Sequence, residues 1–183
     1  MARIILITGG SRSGKSAYAQ TFAESISGIR TYVATCPCID EEMGERIRKH
    51  RETRQASSWQ TIEETRDLAS ALQMAKESHV IMVDCLTLWI NNLMYEAGLQ
   101  GKEITEEDIA VLCRGVIEVC DDLPGTVIFV TNEVGMGIIP ENPASRLYRD
   151  LAGRCNQIIA GRADVVTFMI SGLPLNIKGE KII

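Results

Sequence analysis

At 183 residues the chain has the size of one domain with a substantial core, and 45% hydrophobic with 23% charged residues is the balance of an ordinary globular protein. Its net charge of −5 supplies no global basic field of the kind that gathers nucleic acid or anionic membrane. No apolar run approaches the roughly twenty residues of a spanning helix, and the first such run is too short and poorly flanked for a signal peptide; a cytoplasmic protein with no nucleic-acid partner and no membrane span is expected.

In chain order, Ile4-Ile5-Leu6-Ile7-Thr8 reads as a short buried strand. It leads into Gly9-Gly10-Ser11-Arg12-Ser13-Gly14-Lys15-Ser16, a full match to the G-x-x-x-x-G-K-[ST] phosphate loop, and then into a helix expected over Ser16 to Ser27. Strand, loop and helix in that order are what nucleoside triphosphate binding requires. Gly9 and Gly14 let successive backbone N–H groups turn toward phosphate oxygens, and the helix amino terminus adds partial positive charge. Lys15 is expected to reach the β- and γ-phosphates, and Ser16 to hold magnesium.

Further strands are predicted at Thr31 to Cys36, Val80 to Asp84, Thr126 to Thr131 and Val165 to Ile170. Helices are predicted at Asp40 to Arg54, Thr65 to Glu77, Leu88 to Ala97, Thr105 to Asp121 and Ala144 to Ala163, with Gly28, Gly98 and Pro124-Gly125 as stops. Strands alternating with helices predict an α/β fold: one P-loop NTPase (RecA-like) domain over 1–183, with a mostly parallel sheet and helices on both faces. The tail Ser171 to Ile177 reads as a short antiparallel edge strand, because Pro174 is excluded from a central one. Six cysteines without a secretory signal argue against disulfides, and Cys36-Pro37-Cys38 lacks the second ligand cluster of a zinc site; most of the thiols are expected as core filler.

Ligands of open α/β sheets sit outside the carboxyl ends of the strands, which singles out the residues there. Asp84 ends an apolar strand, where a carboxylate holds a magnesium shell; an Asp capping the next helix is the plainer alternative. On the helix from Glu41 to Arg54, steps of four align Arg46, His50 and Arg54. Flanking guanidiniums keep an imidazole unprotonated and nucleophilic, although a solvated face is the commoner reason for such a charge run. His79, at a strand entrance, reads as structural. The long loop from Thr131 to Pro143 either clamps an acceptor or connects elements across a subunit contact.

Together these segments resemble the bifunctional adenosylcobinamide kinase/adenosylcobinamide-phosphate guanylyltransferase family of cobalamin biosynthesis. The resemblance covers nearly the whole chain: the phosphate loop, Tyr32-Val33-Ala34-Thr35, Glu42-Met43, Arg46-Ile47, His50-Arg51, Asp84-Cys85-Leu86-Thr87, and most specifically Thr131 to Asn142 continuing into Arg149 to Gln157. It implies transfer of the γ-phosphoryl group of ATP or GTP to the aminopropanol hydroxyl of adenosylcobinamide. GMP from GTP is then joined to that phosphate, with release of pyrophosphate. It further implies a guanylylated histidine at His50, and nucleotide contacts from Gly9 to Ser16, Ala34, Thr35, Cys36, Arg51, Glu52, Thr53, Arg54, Glu63 and Asp84. Catalytic roles fall to His50 and Lys15, magnesium to Ser16 and Asp84, and the implied assembly is a homotrimer. A single-activity small-molecule kinase, or a nucleotide-dependent switch or binding module, are the competing readings.

Overall fold

The computed structural model describes residues 1–37 and 58–183; the predicted helix Asp40 to Arg54, with His50, lies outside them. The elements in chain order are β1 (Arg3–Gly9), α1 (Lys15–Ser25), β2 (Arg30–Ala34), β3 (Trp59–Glu63), α2 (Leu68–Met74), β4 (Val80–Asp84), α3 (Leu86–Leu99), α4 (Glu106–Asp122), β5 (Thr126–Val130), α5 (Pro143–Arg162), β6 (Val165–Ile170) and β7 (Leu173–Lys178).

The seven strands form one sheet in the order β3-β2-β4-β5-β1-β6-β7. Every neighbouring pair is parallel except β6 with β7. The predicted antiparallel tail is thus β7, and Pro174 lies on a strand at the sheet edge, where a missing N–H is tolerated.

Both faces of the central strands are buried, which is why they read as continuous apolar runs rather than alternating ones. In β1, Ile4 and Leu6 pack into the cluster made with Leu72, Trp89, Ile109, Cys113, Leu151 and Cys155 of α2 to α5. Ile5 and Ile7 point the other way, onto Ala19, Phe22 and Ala23 of α1. Cys113, Cys120 and Cys155 are fully buried in the larger cluster, as expected of thiols used as small hydrophobes.

Helix starts follow local chemistry. The Asp67 carboxylate caps α2, Thr105 and Asp108 form a reciprocal capping box at α4, and Asn142 caps α5 with Pro143 in its first turn. These caps correct the predicted bounds: α2 runs only over Leu68–Met74 rather than Thr65 to Glu77, and α5 opens at Pro143 rather than Ala144. At the other ends, β2 stops at Ala34 and β5 at Val130, short of the predicted Cys36 and Thr131. Strand β3 escaped prediction because it is an edge strand with only Trp59 and Ile62 apolar, and no residue of it is fully buried.

His79 has the structural role expected of it. Its Nδ1 accepts the Ile29 N–H at 3.1 Å, and its own backbone carbonyl accepts the Thr126 N–H at 3.0 Å, both at the strand entrances.

Candidate nucleotide and phosphoryl-transfer site

Sheet register puts the strand exits at one level. Ile7 pairs with Val130, Val130 with Asp84, Asp84 with Ala34, and Ala34 with Glu63. Strand β1 runs two residues further, to Gly9, so the glycine-rich loop rises from the middle of this edge. The acidic strand β4 is separated from β1 by β5.

The loop is shaped by backbone that only glycine adopts without strain. Gly9 has φ 147°, and a Cβ there would collide with the carbonyl oxygen of Met169. Gly14, at φ 92°, is the left-handed residue from which α1 starts. The N–H of Glu133 donates to the Gly9 carbonyl at 3.1 Å, and that of Gly172 to the Ser13 carbonyl at 3.0 Å, anchoring the loop to the β5 and β6 exits. The opening N–H groups of α1 have no acceptor within their own helix and face the loop side.

Within the loop, Lys15 is 7% exposed and its Nζ donates to the Gly10 carbonyl at 2.6 Å. Burial pulls its pKa below the ordinary lysine value, while the negative charge available at Cys85 and Asp84 works against that fall. The hydroxyls of Thr8 and Ser13 are buried with no hydrogen-bond partner among the described residues.

Asp84 ends β4 half-buried, its carboxylate accepting the Tyr32 hydroxyl at 3.1 Å. It is not a helix cap: α3 begins at Leu86 behind an extended Cys85, which is the N-cap residue. Thr35, wholly buried, bridges the exits of β2 and β4. Its hydroxyl accepts the Cys85 N–H at 2.7 Å and donates to the Cys85 carbonyl at 2.8 Å. Burial, reinforced by the Asp84 charge, pushes the Cys85 thiol up to about 11, so it stays protonated at neutral pH and is no nucleophile.

A second network fixes the start of the long loop. Asn132 Nδ2 donates to the Thr87 hydroxyl at 3.0 Å, and Asn156 of α5 accepts the Thr131 hydroxyl at 2.7 Å while donating to the Asn132 carbonyl at 3.1 Å. At the far end of the loop, Arg146 donates to the carbonyls of Pro140 and Glu141. Between the anchors, Met136, Ile138 and Ile139 are exposed.

The structure therefore gathers Gly9, Gly10, Ser11, Arg12, Ser13, Gly14, Lys15, Ser16, Ala34, Thr35, Cys36 and Asp84 at one sheet edge. Glu63 sits on the outer strand β3, two strands from Asp84. His50, Arg51, Glu52, Thr53 and Arg54 lie outside the described residues. Sequence reasoning missed Asn156 and the bridging role of Thr35. Polar residues inside otherwise apolar segments were the available signal, but their partners lie 25 to 50 positions away.

A mostly parallel sheet with this loop at its central exit defines a P-loop nucleotide-dependent protein. Among solved structures, the chain resembles a prototypical ATPase from the type III secretion system of pathogenic bacteria, with a TM-score of 0.57 at 11% identity over 95% of this chain. The chain spans 56% of that structure's length, and the likeness concerns the fold alone. The family model described as cobinamide kinase / cobinamide phosphate guanyltransferase matches residues 5–177. Curated relatives include the bifunctional adenosylcobalamin biosynthesis protein CobP of Pseudomonas aeruginosa, 42% identical over 96% of this chain and 97% of its own length. The proteins named CobU of Salmonella typhimurium and Escherichia coli are 38% and 36% identical, each over 96% of this chain and 99% of their own length. The chain belongs to the cobinamide kinase / cobinamide phosphate guanyltransferase family, and so to the transferases.

Proposed function

We propose that this chain is a single-domain enzyme that performs both family reactions. It phosphorylates adenosylcobinamide with ATP or GTP, then joins GMP from GTP to the product through a guanylylated His50, giving adenosylcobinamide-GDP and pyrophosphate. The observation that carries the nucleotide part is the buried Lys15 at the head of α1, beside two buried hydroxyls, Thr8 and Ser13, that lack partners among the described residues. Buried polar groups left unpaired at a glycine-rich loop suit a site whose hydrogen bonds a ligand completes.

In the kinase step, the loop amides and Lys15 take up the charge spread over the transferring phosphoryl group as the acceptor hydroxyl attacks the γ-phosphorus. No cluster of three or more His, Cys, Asp or Glu side chains fit for a metal occurs among the described residues. One carboxylate and one hydroxyl, Asp84 and Ser16, suit magnesium, which takes its remaining ligands from phosphates and water. Bound there, magnesium would neutralise charge on the β- and γ-phosphates.

In the second step the His50 imidazole nitrogen bonds to the α-phosphorus of GTP and the bond to pyrophosphate breaks. The cobinamide phosphate oxygen then displaces the histidine. Arg51 to Arg54, Ala34 to Cys36 and Glu63 are assigned to the nucleotide. A homotrimer is the proposed assembly, and exposed Leu173, Leu175 and Ile177 on alternate positions of the edge strand β7 suit a subunit contact. No helix among the described residues is long and apolar enough to cross a membrane, in keeping with a proposed cytoplasmic site of action.

The test is incubation with GTP labelled at the α-phosphorus. Acid-labile label on the protein, absent in His50→Asn, is expected. Kinase turnover of adenosylcobinamide without label on the wild-type protein would leave a single-activity kinase instead, and GTP turnover indifferent to cobinamide would indicate a switch.

A further inference from the structure

A cleft of about 450 Å³ lies between the start of the β5–α5 loop, the first residue of α4 and one side of α5. Arg149, Gly153 and Gln157 follow at steps of four along α5, with Asp150 and Arg154 beside them, so one helix face forms the wall. Glu133 joins this cleft to the phosphate loop: the residue lines the cleft while its N–H donates to the Gly9 carbonyl.

The lining chemistry selects a ligand class. Three carboxylate residues, Glu106, Glu133 and Asp150, line the cleft with two arginines, and the Glu133 carboxylate accepts the Gly135 N–H at 3.1 Å; this net negative lining disfavours a triphosphate and suits an uncharged or singly cationic molecule. Arg149 pairs with Asp150 at 3.4 Å, whereas half-buried Arg154 has no ion pair among the described residues. Together with the Gln157 amide, these groups offer donors and acceptors side by side, which is the complement of a carboxamide.

We propose that this cleft seats part of the carboxamide-bearing rim of the corrinoid acceptor, leaving its hydroxyl arm to run past Glu133 toward the phosphate loop. The assignment rests on the cobinamide reading above. The volume is too small to enclose a corrin macrocycle, so the rim is held and the ring lies outside. Gly153 makes the wall shallow: a Cβ added there meets nothing within 4 Å, so the position opens on space rather than on packed protein.

That opening supplies the test. Gly153→Leu adds bulk to the cleft wall from a Cβ that meets no neighbour. It is expected to raise KM for adenosylcobinamide, and for its phosphate in the GMP-transfer assay, by about tenfold or more. Binding of a fluorescent GTP analogue and the thermal transition should stay as in the wild type. Arg154→Met, which keeps the stem and removes the charge, is expected to shift the same two KM values. It decides the matter by itself if the leucine variant does not fold. Unchanged acceptor KM in a folded variant overturns the cleft assignment while leaving the two-step function standing, and so does an equal loss of nucleotide affinity. A wild-type chain that cannot phosphorylate adenosylcobinamide overturns both.

Discussion

The hydroxyl of Thr35 and the backbone of Cys85 are locked together twice, the hydroxyl accepting the Cys85 N–H at 2.7 Å and donating to the Cys85 carbonyl at 2.8 Å. One side chain thus bonds both backbone polar groups of Cys85, the residue after Asp84, where the chain leaves β4 for α3. Thr35→Val keeps the shape and orphans the Cys85 N–H, whereas the Cys85 carbonyl keeps the Trp89 N–H at 3.2 Å. An unsatisfied buried group costs about 1–3 kcal/mol, so a loss of that size by urea denaturation is expected. Thr35→Ser should recover most of it, and a valine variant as stable as the wild type would show that the bridge is not structural.

Lys15 is buried, and its charged form is disfavoured there, so its folded pKa lies below its unfolded one. The sign follows: below the folded pKa, keeping the ammonium charged costs stability, and the cost disappears only when both states are neutral at high pH. Lys15→Met should therefore not lower the thermal midpoint. It should reduce kinase kcat by about a hundredfold or more, the scale seen when one charge-stabilising donor is removed. A variant that loses stability but keeps turnover would contradict both halves.

Alkaline pH acts on two buried thiols. Burial, with a neighbouring carboxylate, pushes Cys85 up to about 11 and Cys120 up to about 12, from an ordinary value of 9.0. Between these values the unfolded chain releases protons that the folded chain retains, so stability falls as pH rises from about 9 toward 12. Cys120→Ala should flatten that fall in thermal melts taken across this window, with an effect on the order of 4 kcal/mol at the upper end. Equal slopes in the two proteins would remove Cys120 from the account.

Asn156 holds the Thr131 hydroxyl with one end of its amide and the Asn132 carbonyl with the other. Asn156→Asp keeps the acceptor but sets a carboxylate oxygen against the Asn132 carbonyl. A loss of about 2–4 kcal/mol is expected at neutral pH, shrinking in acid as the carboxyl protonates and regains a donor. Denaturation curves at pH 5 and pH 8 provide the comparison, and a pH-independent difference would argue against the bond to Asn132.

Much of this molecule was decided locally. The Gly9 to Ser16 loop, the apolar strands on either side of it and the Pro174 edge are consequences of neighbouring residues: positive φ needs glycine, two-sided burial needs unbroken apolar runs, and a missing N–H needs an edge. Helix ends were less legible, because a cap such as Asp67 competes with nearby turn residues and is fixed by its bonds to the Ser70 N–H at 3.0 Å and the Ser70 hydroxyl at 2.7 Å. Tertiary structure alone decided that Thr35 would meet Cys85, that Asn156 would hold the loop after β5, and that Glu133 would stand between the phosphate loop and the cleft on α5. Those contacts join residues far apart in the chain, and their partners are chosen by strand order and register, which emerge only when the whole sheet closes over its two layers of helix.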